Sequence, residues 1–110
     1  MLAESLERTA LTEAVFYILL SLYTPMHGYG IMQNVKELSN DRVNLGAGTL
    51  YGAINTLLEK KWIEPAGNDN DSRKKEYVIT KLGKSMVKSE IDRLEELILN
   101  GKRIDGGELG

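Results

Sequence analysis

The chain contains no cysteine, one histidine, two prolines, one tryptophan and one phenylalanine in 110 residues. Without cysteine there is no disulfide and no thiolate for redox or metal chemistry, and one histidine leaves little imidazole for a metal site. That absence argues against metal sensing and thiol switching. No apolar run approaches the ~18 residues of a membrane span, and the opening Met1-Leu2-Ala3-Glu4-Ser5 lacks the basic flank and apolar stretch of a signal peptide, so the sequence reads as cytoplasmic. Catalytic material is also missing. His27 has no serine or carboxylate in a triad arrangement, there is no nucleophile elbow, and no acidic cluster has metal-ligand spacing. The expectation is a protein that is not an enzyme, has no metal and needs no cofactor, with His27 structural in a turn.

What the chain does have is 42% apolar residues, enough for one modest core and hence a single domain over residues 1–110. The net charge of −2 is unevenly spread: residues 1–59 hold three bases and six acids, residues 60–88 eight bases and four acids, and residues 89–110 three bases and six acids. A local basic stretch, not the net charge, is what matters for binding phosphates.

Thr9 is a candidate cap for a first helix whose Leu11, Val15, Ile18, Leu19 and Leu22 keep the 3.6-residue period, with Ala14, Phe16, Tyr17, Leu20 and Tyr23 adding apolar surface around it. A helix apolar nearly all round needs two burial partners. Pro25 stops it. After Met26-His27-Gly28 a second helix runs to about Leu38, with Ile31, Val35 and Leu38 inward, and Ser39-Asn40-Asp41 turns the chain. Val43-Asn44-Leu45 reads as a short strand, and Gly46-Ala47-Gly48 breaks the chain before a third helix from about Thr49 to Lys61 with Leu50, Ile54, Leu57 and Leu58 on its core face. Trp62-Ile63 opens a strand that Pro65 ends, residues 67–72 form a polar turn, and Arg73 to Ile79 return as the second strand of a hairpin. Thr80 caps a last helix in which Val87, Ile91, Leu94 and Ile98 repeat at 4-3-4 spacing, a seam suited to a partner helix, with Asn100-Gly101 as the stop. The order helix, helix, short strand, helix, hairpin, long helix predicts an α+β, mostly α, winged helix-turn-helix. Its core spans residues 9–79, a C-terminal dimerisation helix follows over 80–100, and a flexible tail occupies 101–110.

Two helices joined by a short turn are the geometry in which one buttresses and the next enters the DNA major groove, although an ordinary three-helix core looks similar. The polar face of the third helix holds Thr49, Tyr51, Gly52, Asn55 and Thr56, hydroxyl and amide groups able to meet phosphates or base edges. Gly52 would allow close approach to a DNA backbone. The plain alternative is a solvated face with Tyr51 folded over the core. Arg73, Lys74 and Lys75 on a protruding hairpin can straddle the DNA backbone, but a charge run is often only a solvated surface, and Asp69 and Asp71 keep the turn itself clear of phosphates. Gly46-Ala47-Gly48 is not a dinucleotide fingerprint: the third glycine falls at 52, one position late, and no βαβ unit surrounds it. Trp62 and the apolar surplus of the first helix are either plain core or the lining of a pocket for a small apolar or aromatic effector.

The apolar first helix, His27-Gly28-Tyr29-Gly30-Ile31 at the start of the second, Gly48-Thr49-Leu50-Tyr51 at the start of the third, and Arg73-Lys74-Lys75-Glu76-Tyr77-Val78-Ile79-Thr80 followed by Gly83 occur in one order and spacing. Over about Leu11 to Leu99 the chain resembles the PadR family of transcriptional regulators, in its shorter subgroup with a single C-terminal dimerising helix. The resemblance implies a homodimer on double-stranded operator DNA with two-fold symmetry, usually a repressor. It implies that Tyr29, Thr49, Tyr51 and Arg73, Lys74 and Lys75 face DNA, while helices one and four form the dimer. Asn55 joins the DNA set from its place one turn after Tyr51. For the dimer, Val15, Leu19, Val87, Ile91, Leu94 and Ile98 are the expected contacts. One departure stands out, because Lys61 precedes Trp62-Ile63 where the family commonly has a glycine, and a left-handed cap residue there would cost up to about 1 kcal/mol. A winged-helix protein-interaction module without DNA binding and a small-molecule sensor acting through a dimer-interface pocket are the rival readings.

Overall fold

The computed structural model describes residues 10–67 and 75–107. Four helices and three strands follow one another: α1 (Glu13–Ser21), β1 (Met26–His27), α2 (Gly28–Leu38), α3 (Ala47–Glu59), β2 (Ile63–Ala66), β3 (Glu76–Ile79) and α4 (Lys81–Asp105). The fold is the expected mostly helical winged helix with a long C-terminal helix.

Among the described residues, α1, α2 and α4 start where a side chain can satisfy their first free N–H groups. Thr12 Oγ1 accepts from Val15 N at 3.1 Å, so the cap of α1 is Thr12, while Thr9 lies outside the described residues. His27 Nδ1 accepts from Gly30 N at 3.0 Å, giving the single histidine its structural role as the cap of α2. Thr80 Oγ1 accepts from Gly83 N at 3.0 Å and donates to Lys61 O at 2.7 Å, joining the start of α4 to the end of α3. Only α3 starts without such a cap. Gly46 takes the extended conformation there, and Ala47 and Gly48 are already helical, so the helix opens two residues before the expected Thr49.

Ile18, Leu19, Leu22, Ile31, Val35 and Leu50 are completely buried and form the centre of the core, with Ile63, Tyr77, Ile79 and Val87 closing it from the sheet and α4. Asn34 Nδ2 donates to Ser21 Oγ at 2.8 Å, which fixes α2 against α1 with a polar tie inside the contact. Leu38 is not inward: it is 45% exposed, and Ser39 takes the buried place. The Ser39 hydroxyl accepts from Val43 N at 2.8 Å and so holds the turn closed, a role leucine could not fill. In that turn Asn40 and Asp41 adopt left-handed backbone (φ 55° and 66°), which their short polar side chains tolerate.

The sheet order is β1-β3-β2, antiparallel throughout, with β3 central. The short strand is therefore Met26–His27, paired with Tyr77 and Glu76, and Val43 to Leu45 form no strand. Pro65 does not end β2, which continues to Ala66, because β2 is an edge strand where a missing N–H breaks no ladder bond. Lys61 sits at φ 64°, the left-handed conformation that a glycine would take without strain, between the end of α3 and Trp62.

Helix α4 runs on through Gly101 to Asp105, beyond the expected stop at Asn100-Gly101, so residues 101–105 are helix and not tail. A glycine inside a helix costs only about 1 kcal/mol, and Lys102 and Arg103 in the last turn suit the negative end of the helix dipole. At 25 residues α4 is about 37 Å long. Its second half projects past the body of the chain. The radius of gyration, 16.3 Å, accordingly exceeds the roughly 13 Å of a compact domain this size.

Candidate nucleic-acid interface

The first turns of α2 and α3 meet at one end of the molecule, and the contact between them is made by Gly28 and Tyr51. A side-chain carbon built at Gly28 would overlap the Tyr51 hydroxyl oxygen and lie 2.7 Å from Tyr51 Cζ, so the hydroxyl end of the tyrosine packs on the bare backbone that opens α2. The ring keeps 43% of its surface exposed, and Tyr29, one residue beyond Gly28, is 64% exposed. Beneath them Tyr77 is buried in β3. Burial pushes its phenol above the usual range, and the neighbouring Tyr51 adds to that shift.

Tyr51 is thus partly folded down and partly presented, combining the two readings the sequence allowed. Thr49 and Asn55 are both exposed on α3, and Gly48 and Gly52 have open space above them, with nothing within 4 Å of an added side-chain carbon. Apart from the Tyr51 ring this face is small and uncharged, since the only acidic or basic residue in α3 is Glu59 at its last position. The free N–H groups of the uncapped first turn point from the same end, a disposition that favours an anion.

Positive charge comes from the wing. Lys75 is exposed at the foot of β3, next to Glu76, which pairs with His27 at the entrance to α2. The pairing places Lys75 at the same end of the molecule as Tyr29 and Tyr51. Arg73 and Lys74, and the turn with Asp69 and Asp71, lie outside the described residues. Two further bases of the 60–88 stretch stand over aromatic rings: Lys60 Nζ lies 5.3 Å from the Trp62 ring centre, and Lys84 Nζ lies 5.3 Å from that of Tyr23.

Residues 15–89 match the family model of the transcriptional regulator PadR-like family. The chain belongs to that family. PadR-like regulators are DNA-binding transcription factors and not enzymes, and they are often dimeric. Among solved structures, a PadR family transcription regulator from Clostridium difficile is 27% identical, with 90% of this chain and 100% of that chain covered and a TM-score of 0.63. RosR of H. salinarum is 25% identical, covering 82% of this chain and 76% of its own, with a TM-score of 0.62. A 37.1 kDa protein in a Streptomyces fradiae transposon is 30% identical over 73 residues, 66% of this chain but 20% of its own length, so the chain spans about a fifth of that curated relative.

In this PadR-like regulator the residues expected at a dimer contact separate into two sets. Leu19 and Val87 are 0% and 2% exposed within one chain, so they belong to its own core and not to a partner surface. Val15 and Leu94 are half-buried, whereas Ile91 and Ile98 are 40% and 55% exposed. Of the 4-3-4 positions, Val87 is covered by the body of the chain and Leu94 half covered, while Ile91 and Ile98 are open.

Sequence reading missed Gly28 as the seat of Tyr51, Ser39 as the turn lock, and Glu90. Glu90 is buried at 5% exposure on α4, where Arg93 Nε and Nη2 donate to its two oxygens. The Arg93 guanidinium holds the Glu90 carboxyl below its usual range against the opposing effect of burial, with the Leu11 backbone N–H assisting. The three-residue spacing of Glu90 and Arg93, with Glu90 on the stripe Gly83-Val87-Glu90-Leu94, was the available signal. No helix among the described residues is long and apolar enough to cross a membrane.

Proposed function

We propose that this regulator is a cytoplasmic, homodimeric, sequence-specific repressor that reads its operator with α3 of each subunit and grips the flanking backbone with the wing. The observation that carries this reading is the face shared by α2 and α3: Tyr29, Thr49, Tyr51 and Asn55 exposed around two open glycines, with Lys75 beside them. Thr49, Tyr51 and Asn55 meet base edges or phosphates at the groove, Tyr29 meets the backbone, and Arg73, Lys74 and Lys75 supply the salt-dependent attraction. The partner subunit docks on the projecting half of α4, which exposes Leu97, Ile98, Leu99 and Ile104 by 53–66%. That much exposed apolar side chain on the outer half of α4 suits a second copy of the same helix. Two such units would present their α3 helices to successive major grooves about one helical turn apart.

Relief by a small apolar or aromatic effector belongs to the same proposal. A cleft of about 440 Å³ lies within one chain, between Leu11 and Val15 on one side and Ala53, Leu57, Trp62 and Met86 on the other. Its lining bears directly on both α1 and α3, so a ligand there would shift the reading helix against the helix that leads to the dimer. Trp62 at its wall provides the readout: quenching of its fluorescence by flat aromatic compounds supports the cleft, and silence removes it.

The test of DNA reading is titration with the duplex that the protein itself enriches from a randomised pool, against a scrambled duplex of equal composition, at two salt concentrations. Preference for the enriched duplex, weakening with salt, is the expected result. Replacing Arg73, Lys74 and Lys75 with alanine should weaken binding to both duplexes and flatten the salt dependence by up to about three phosphate contacts. If no duplex is enriched, the wing charge is incidental and the interaction-module reading stands instead.

A further inference from the structure

The contact between Gly28 and Tyr51 has no role yet beyond geometry, and Gly28 has no backbone reason to be glycine. It opens α2 with ordinary helical conformation and is not among the residues of positive φ. What the position lacks is room. An added side-chain carbon would overlap Tyr51 Oη, with Tyr51 Cζ at 2.7 Å and Cε1 at 3.3 Å, and these three are the nearest atoms it would meet. All belong to the far end of a side chain that is 43% exposed and free to swing outward. Gly83 is the instructive contrast. There the added carbon would strike the Trp62 backbone carbonyl, which cannot move without opening the junction of β2 and α4.

We infer that Gly28 is a positioning residue for DNA recognition: its missing side chain is the seat that holds the tip of Tyr51 against α2, and so sets how far Tyr51 protrudes from α3 into the groove. The inference rests on the reading of α3 as the DNA-reading helix. Gly28 itself is buried and can touch no base. A methyl group at position 28 would lift the ring off α2 and toward the DNA, where α3 otherwise shows the open faces of Gly48 and Gly52. The close packing of reading helix on supporting helix would then be lost at the one point where an aromatic ring fills it.

The experiment compares wild type, Gly28→Ala, Tyr51→Ala and the double variant, each titrated at about 50 mM salt, where weak complexes remain measurable. The probes are the duplex enriched by the wild type and its scrambled counterpart. Gly28→Ala should keep the wild-type circular dichroism melt and the affinity for scrambled DNA, and lose about tenfold for the enriched duplex, the scale of one misplaced recognition contact. In the Tyr51→Ala background the same glycine substitution should change nothing, because the ring it displaces is gone. Nuclear Overhauser contacts from the Tyr51 ring to the Gly28 α-protons should be present in free wild type and absent in Gly28→Ala. Wild-type selectivity in Gly28→Ala, or an equal loss with and without Tyr51, overturns the inference alone. Failure of the wild type to enrich any duplex overturns the DNA-reading helix and the inference with it, while the Overhauser contact still reports separately on whether the ring sits on Gly28.

Discussion

Glu90 and Arg93, three residues apart on α4, form a two-pronged ion pair at 2.8 and 2.7 Å, and Glu90 also takes the backbone N–H of Leu11. The pair latches the stretch leading into α1 onto the helix that carries the proposed dimer contact. Because the folded-state carboxyl is held below its usual range, its stabilising effect is complete above that range and is lost as pH falls through the depressed value. Urea melts from about pH 5 down to about pH 3 should therefore show a stability loss in the wild type that Glu90→Gln lacks. At neutral pH the variant should be weaker by about 1–3 kcal/mol, below the full cost of a broken buried pair because Arg93 keeps 24% of its side chain in solvent. Parallel pH profiles for the two proteins would show that the pair contributes nothing net.

Gly52 separates stability from function. Alanine there meets nothing within 4 Å and removes the entropic cost of a glycine inside a helix, so Gly52→Ala should raise stability by about 0.5–1 kcal/mol, or a few degrees in the melt. The same methyl group stands on the face proposed to approach the DNA backbone and should weaken binding to every duplex. A more stable variant with unchanged DNA affinity would place the contact elsewhere on α3.

Much of this architecture is legible in the sequence, and the misses share a physical cause. Apolar periodicity located the four helices, and Thr80, His27 and the hairpin emerged from local chemistry alone. The position of Lys61 is marked instead by the family resemblance, since the family commonly has a glycine there, and φ 64° is the left-handed conformation the chain adopts. The strand at Met26–His27 is invisible because two residues carry no alternation and exist as a strand only through pairing with β3. Leu38 and Ser39 were read in the wrong order because periodicity counts apolarity and cannot see a hydroxyl whose backbone partner is four residues away. Val87 keeps the α4 seam but packs inside its own chain, because a heptad-like seam does not say whether its complement lies in the same chain, and Leu19, expected at the dimer from the family resemblance, is likewise core.

Lys61→Gly should stabilise the chain by up to about 1 kcal/mol, since glycine takes the left-handed cap without a side-chain penalty. The Thr80 bond to Lys61 uses the backbone carbonyl and survives the change. A lower melting temperature would mean that the lysine side chain itself stabilises this corner.

Ile98→Glu probes the projecting half of α4 more cleanly than a charge at Leu94, which is half-buried against its own chain. The expected outcome is a fall in mass by light scattering from two chains to one with helical circular dichroism largely kept. A dimer that persists would move the interface away from the outer half of α4.

From Ala47 to Leu58 helix α3 carries no acidic or basic side chain, while the charges proposed to attract phosphate sit on the wing, on a different element. Grip and choice are thereby inherited separately. In the proposed reading, a substitution in the wing changes how tightly every sequence is held, and one at Thr49, Tyr51 or Asn55 changes which sequence is preferred, without either disturbing the other through charge. Duplicated copies of such a regulator can drift toward new operators one small polar residue at a time, each intermediate still holding DNA firmly enough to be useful while its preference is being rewritten.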